Sequence, residues 1–71
     1  MEEAELKTAA QNYINGTTTI TDDNIAEVEE LIDSLWEKYI EAPSDSEKAA
    51  EYLELYTALK NTKDSNYYSG L

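Results

Sequence analysis

The residues of this chain that could take part in chemistry are almost all carboxylates. Sixteen Asp and Glu side chains accompany five Lys, and the sequence contains no His and no Cys. One set of carboxylates recurs every three or four positions, a spacing that places its members on one face of a helix: Glu27, Glu30, Asp33, Glu37 and Glu41. We call this set the acidic row. Successive carboxylates of the row are expected to lie about 5–6 Å apart. This distance is comparable to the spacing of phosphates along a DNA strand, about 3.4 Å per phosphate, or to that of every second phosphate.

The acidic row is unfavourable for helix stability, which is why it invites a functional interpretation. Each like-charge pair at such a spacing destabilises a helix by about 0.2–0.5 kcal/mol, and only Lys38 is close enough to compensate any of it. A cation or a basic partner would supply the missing counter-charge. The alternative is a solvated face that only keeps the protein in solution. A second acidic face is predicted further along the chain, at Glu47, Glu51 and Glu54.

Catalysis and metal binding are not expected. A Ser or Thr nucleophile would have no His to activate it, and a carboxylate acid–base pair needs a concave pocket that a short helical chain has little room to form. The segment Asp22-Asp23-Asn24 lacks the glycine turn and the terminal Glu of an EF-hand loop. We therefore predict a non-enzymatic protein with no cofactor and no metal site.

The net charge of −11 limits the classes of partner. It disfavours direct contact with nucleic acid and with anionic membrane surfaces, and it favours basic protein surfaces. The sequence shows no basic-then-apolar leader and no apolar run long enough to span a bilayer. We expect a soluble, cytoplasmic protein.

The acidic row belongs to the central stretch 22–42, which predicts an amphipathic helix. Apolar residues at helical spacing cover about half of its circumference, which is more than one neighbouring helix would bury. We call this set the apolar arc: Ile25, Val28, Leu31, Ile32, Leu35, Trp36, Tyr39 and Ile40. Trp36 is predicted to anchor the core, with a role at a dimer interface as the alternative. A homodimer or a complex that shields Trp36 or Tyr39 would supply the extra neighbour.

Two further helices are predicted around the central one, at about 3–14 and 45–61. The apolar face of the later helix is formed by Ala49, Tyr52, Leu53, Leu55, Tyr56 and Leu59. Its short connection to the central helix predicts an antiparallel hairpin. The expected fold is an all-α three-helix bundle, a single domain over 1–61, followed by a flexible tail at 62–71. Tyr67 and Tyr68 in this tail are candidates for docking into a partner's groove.

The helix boundaries rest on local signals. Thr21 is the predicted N-cap of the central helix, and the Ser-x-x-Glu capping box from Ser44 to Glu47 is predicted to begin the next one. Asn15-Gly16 fits either a helix stop or a two-residue hairpin turn. We favour the stop, because an isolated hairpin is only marginally stable.

These features favour an acidic protein-binding inhibitor or regulator. Such a protein would act as a DNA mimic, occupying a basic, nucleic-acid-binding site on a partner protein. The alternative function is a structural or adaptor module whose helices assemble into a homo-oligomer or a larger complex.

Overall fold

A computed structural model describes residues 3–67 of the chain. They form three helices, α1 (Glu3–Ile14), α2 (Ile25–Glu41) and α3 (Glu47–Asn66), which all contact one another. No strand is present in this part of the chain. The prediction of an all-α three-helix bundle is confirmed, and none of the three helices is both long and apolar enough to cross a membrane.

The end of α1 resolves the two interpretations of Asn15-Gly16. Gly16 has a φ of +85°, the left-handed conformation that glycine adopts beyond a helix C-terminus. Its amide donates to the Tyr13 carbonyl, and the Thr18 amide donates to the Asn12 carbonyl at 2.9 Å. These bonds satisfy carbonyls of the last helical turn, so the helix stop is correct and the hairpin is not formed.

The start of α2 differs from the prediction. The helix begins at Ile25 rather than at residue 22, and Asn24 rather than Thr21 precedes it. The Asn24 side chain binds the preceding loop, accepting from the Thr21 amide at 2.8 Å and donating to the Thr19 carbonyl at 2.9 Å. These bonds hold residues 22–24 in a turn. Ile20, just before it, is buried in the core.

Both ends of α3 also need correction. Its N-cap is Ser46, whose hydroxyl accepts from the Ala49 amide at 3.1 Å, so the predicted cap at Ser44 is wrong. The helix continues to Asn66 instead of ending at residue 61. Residues 62–66 of the predicted tail are therefore helical, and its residues 68–71, with Tyr68, lie outside the described part of the chain.

The core lies on the shared axis of the three helices. Leu6 of α1, Val28 and Leu35 of α2 and Leu59 of α3 are its largest fully buried side chains. The hairpin of α2 and α3 provides the most extensive packing, and α1 covers one side of it. This arrangement buries the middle of the apolar arc of α2 and leaves one flank of it uncovered.

Three residues predicted to be buried lie on that uncovered side. Trp36, Ile40 and Leu53 are 43%, 61% and 39% exposed. The prediction of Trp36 as a core anchor is wrong, because Leu35, its neighbour in the chain, is fully buried in the centre. The apolar arc of α2 is therefore wider than the part of it that α1 and α3 bury together.

Candidate protein-binding surfaces

The acidic row lies on the outer face of α2. All five of its carboxylates belong to exposed residues, opposite the buried Val28 and Leu35. The ion pairs among residues 3–67 join Lys7 to Glu3 and Glu51, and Lys48 to Glu3, and none of them includes the row. The carboxylates therefore face solvent without an internal counter-charge.

Glu27 marks the edge of the row next to α1. Burial raises the pKa of the Tyr13 hydroxyl above its usual value, and the negative charge of Glu27 raises it further. This coupling places Glu27 beside Tyr13 rather than on the open middle of the face.

The acidic face of α3 is a separate surface. Glu47, Glu51 and Glu54 are exposed, but Glu51 pairs with Lys7 of α1 at 2.9 Å. Glu51 and Glu54 also line a groove of about 420 Å³ between α1 and α3. The two predicted acidic faces therefore point in different directions, and the structure does not combine them into one site.

The groove between α1 and α3 ends at a polar cluster that the sequence patterns did not reveal. The Lys7 ammonium lies 3.3 Å from Glu3 and 5.4 Å from the centre of the Tyr52 ring. Interaction with the Tyr52 hydroxyl, and then with Lys7, lowers the pKa of Glu3. Burial raises the pKa of Tyr52, and its hydroxyl makes no hydrogen bond of standard geometry. Through the Tyr52 hydroxyl beside Glu3 and the Lys7–Glu51 ion pair, the cluster links α1 to α3.

Tyr67 is held by the fold. Its hydroxyl donates to the Asp22 carboxylate at 2.6 Å, and its ring packs against the core. The contact joins the end of α3 to the turn before α2. Of the two tail tyrosines proposed as partner-binding, Tyr67 is thus engaged within the chain, and Tyr68 lies outside the described residues.

A second exposed feature runs between α2 and α3. The Trp36 ring lies 5.4 Å from the Tyr39 ring and 5.2 Å from the Tyr56 ring. Ile40 follows Trp36 by one turn of α2, and Leu53 precedes Tyr56 by about one turn of α3. Because the helices are antiparallel, both lie on the side of Trp36 that faces the connection. We call Trp36, Ile40 and Leu53 the apolar seam.

The apolar seam could have been anticipated only in part. The apolar arc of α2 covers more than one neighbour can bury, which signals an uncovered flank. The pattern does not say which flank that is. Among residues 3–67, no three carboxylates are arranged to hold a metal ion.

Comparisons of the chain with protein-family models, with curated proteins and with solved structures find no match. The case for a function therefore rests on the residues and their arrangement.

Proposed function

We propose that this chain is a non-enzymatic inhibitor or regulator that binds a basic surface of another protein through the acidic row. The observation that carries the proposal is the exposure of the row without internal ion pairs. Like charges along a helix reduce its stability, and a partner rich in Lys and Arg would reverse that penalty. A nucleic-acid-binding site has this character, so the chain would act there as a DNA mimic in the cytoplasm.

The rigidity of α2 supports this function. The row is carried by a helix whose opposite face is fixed in the core by Val28, Leu31 and Leu35. A partner therefore meets carboxylates whose backbone positions are set before binding, which reduces the entropy lost on association. Charges at such a surface accelerate encounter and fix orientation, and their effect weakens as salt screens them.

A charge-matched pair of variants tests the proposal. The row variant changes Glu30 and Glu37 to Gln, Asp33 to Asn and Glu41 to Gln. The control makes the same kind of change at four exposed acids outside the row, in each case to the amide: Glu5, Asp23, Asp45 and Asp64. Both variants carry the same net charge, so any difference between them reports position and not total charge.

The assay measures retention of DNA-binding proteins on the immobilised chain. These proteins are first collected from a duplex-DNA column and then applied at low and at high salt. The immobilised parent and control should retain basic proteins, and added duplex DNA should displace them. The row variant should retain none. Equal retention by the parent and the row variant at low salt would contradict the proposal.

A structural or adaptor module is the second candidate function. It is favoured by the exposed Trp36 and Ile40, which an assembly would cover. Self-association that persists at high salt would support it, because apolar contacts are not weakened by screening.

A further inference from the structure

The large apolar side chains exposed among residues 3–67 belong to the two helices of the hairpin. They are Trp36 and Ile40 of α2 and Leu53 of α3, the members of the apolar seam. Single exposed apolar residues are normal on a protein surface, whereas a group of them marks an interaction site. Here Trp36 contacts Tyr56 across the junction of α2 and α3. Ile40 and Leu53 each lie about one helical turn from that contact, so the three side chains border the same junction.

The apolar seam lies on the side of the hairpin that α1 leaves open. The contacts that fix α1 reach Glu51 and Tyr52 of α3 and Glu27 of α2, all on the other side. The α2–α3 hairpin is therefore a layer with a helix on one side only. A helix laid along the apolar seam would complete a four-helix arrangement of the kind in which side chains of neighbouring helices interlock.

The charges beside the apolar seam restrict what can occupy it. Asp33 precedes Trp36 by one turn, Glu37 precedes Ile40 by one turn, and both are exposed. A specific interface covers about 800 Å² of each partner, roughly a sixth of the 4670 Å² surface. Such a footprint is larger than three side chains can provide, so it must include these acids.

A second copy of the chain fits this surface poorly. In a two-fold dimer the same patch meets itself, so Asp33 and Glu37 of one copy would face the acids of the other. Each copy also carries a net charge of −11. An occupant with Lys or Arg beside its apolar residues would instead pair with the acids while it covers Trp36.

We propose that the apolar seam is the docking site of an amphipathic helix from another protein, with an apolar stripe flanked by Lys or Arg. The proposal rests on the proposed function for the basic character of the partner, and it adds an apolar anchor that a pure DNA mimic does not need. Trp36 is suited to this role, because contacts with Tyr39 and Tyr56 hold its ring in place before binding.

A synthetic peptide serves as the probe. It contains only Leu and Lys, with Leu at helical spacing, and the control peptide has the same composition in scrambled order. Trp36 is the only tryptophan of the chain, so its fluorescence reports directly on the apolar seam. We expect saturable one-to-one binding, a blue shift of the emission, and affinity about tenfold weaker for the scrambled peptide.

Uncharged variants then separate the apolar seam from the acidic row. Changing Ile40 and Leu53 to Ser should weaken peptide binding about tenfold in calorimetry. The folded helix content should persist, because both side chains are exposed. The control changes two exposed alanines away from the apolar seam, Ala4 and Ala26, to Ser. The milder Ile40→Ala variant, which keeps a good helix former, should weaken binding in the same direction.

Each outcome is decisive. If the seam variants bind like the parent while the row variant does not, carboxylates alone hold the peptide, and the apolar seam has no role although the proposed function stands. If only the seam variants lose binding, the apolar seam holds the peptide without Asp33 and Glu37, and the proposal that the occupant carries Lys or Arg beside its apolar stripe is overturned. Self-association of the parent without peptide, abolished in the seam variants, would assign the surface to a second copy and overturn the proposal.

Discussion

Replacing Leu35 by Ala tests the core and the apolar seam together when it is compared with Ile40→Ala on the same helix. Leu35 is fully buried, whereas Ile40 is 61% exposed. Truncating a buried Leu to Ala costs about 2–5 kcal/mol, through lost burial and the cavity that remains. A chain of 71 residues has a total stability of about 4–11 kcal/mol at 0.05–0.15 kcal/mol per residue. The Leu35 variant should therefore lose a large part of its stability, and the Ile40 variant about 1 kcal/mol or less.

Urea unfolding followed by far-UV circular dichroism measures the difference. A small domain loses about 1 kcal/mol of stability per molar urea, so Leu35→Ala should lower the midpoint by about 2 M or more. If the stability of the parent lies at the lower end of the range, the Leu35→Ala variant should be partly unfolded even without urea. Ile40→Ala should shift the midpoint only slightly, because Ala favours the helix and little burial is lost. Equal shifts for the two variants would show that Ile40 is covered, which would refute both the core assignment and the apolar seam.

Three smaller changes test other contacts. Gly16→Ala should cost about 1 kcal/mol in urea unfolding, because φ is +85° while no neighbouring atom obstructs the new methyl group; an unchanged midpoint would contradict that conformation. Tyr52→Phe removes a hydroxyl that is buried without a hydrogen bond of standard geometry but that lowers the pKa of Glu3; these effects oppose each other, so stability at neutral pH should change by less than about 1 kcal/mol. Because burial raises the pKa of Tyr52 above its usual value of 10.0, the parent should lose folding stability as pH rises from 10.0 through the folded-state pKa; the Phe variant lacks this titration and should resist alkaline unfolding better. Tyr67→Phe removes the bond to Asp22 and should speed amide exchange at the end of α3 while changing global stability by less than about 1 kcal/mol; slow exchange there would mean that other contacts hold the helix end.

The parts of the fold that sequence could predict are those set by local chemistry. The bounds of α1 follow from the residues around them, and Gly16 ends the helix because few other residues adopt its conformation. The position of the acidic row on the outer face of α2 follows from helical spacing. Its role in binding is a separate matter and remains a prediction.

The errors have two sources: a local turn that competes with a sequence motif, and contacts between residues distant in the chain. Ser44 and Ser46 both offer a capping hydroxyl, and the turn at Pro43, whose carbonyl accepts from the Ser46 amide and hydroxyl, selects the second. The apolar pattern of α3 stops at Leu59, but the helix continues to Asn66, and the Tyr67 that follows it bonds to Asp22, far away in the chain. Exposure of Trp36 depends on which flank of α2 its neighbours cover, and periodicity defines only the arc.

The attachment of α1 has a consequence for how the molecule opens. Its two ion pairs with α3, Lys7–Glu51 and Lys48–Glu3, involve side chains that are 22–65% exposed, and such pairs contribute at most about 1 kcal/mol each. Its buried contribution is limited to Leu6, Ala10 and Tyr13, whereas α2 and α3 share a longer interface. Detachment of α1 should therefore precede global unfolding and leave an intact hairpin with apolar surface on both sides. Two chains in that state can exchange their first helices, so concentrated samples held near the onset of unfolding should accumulate helix-swapped dimers that persist after cooling.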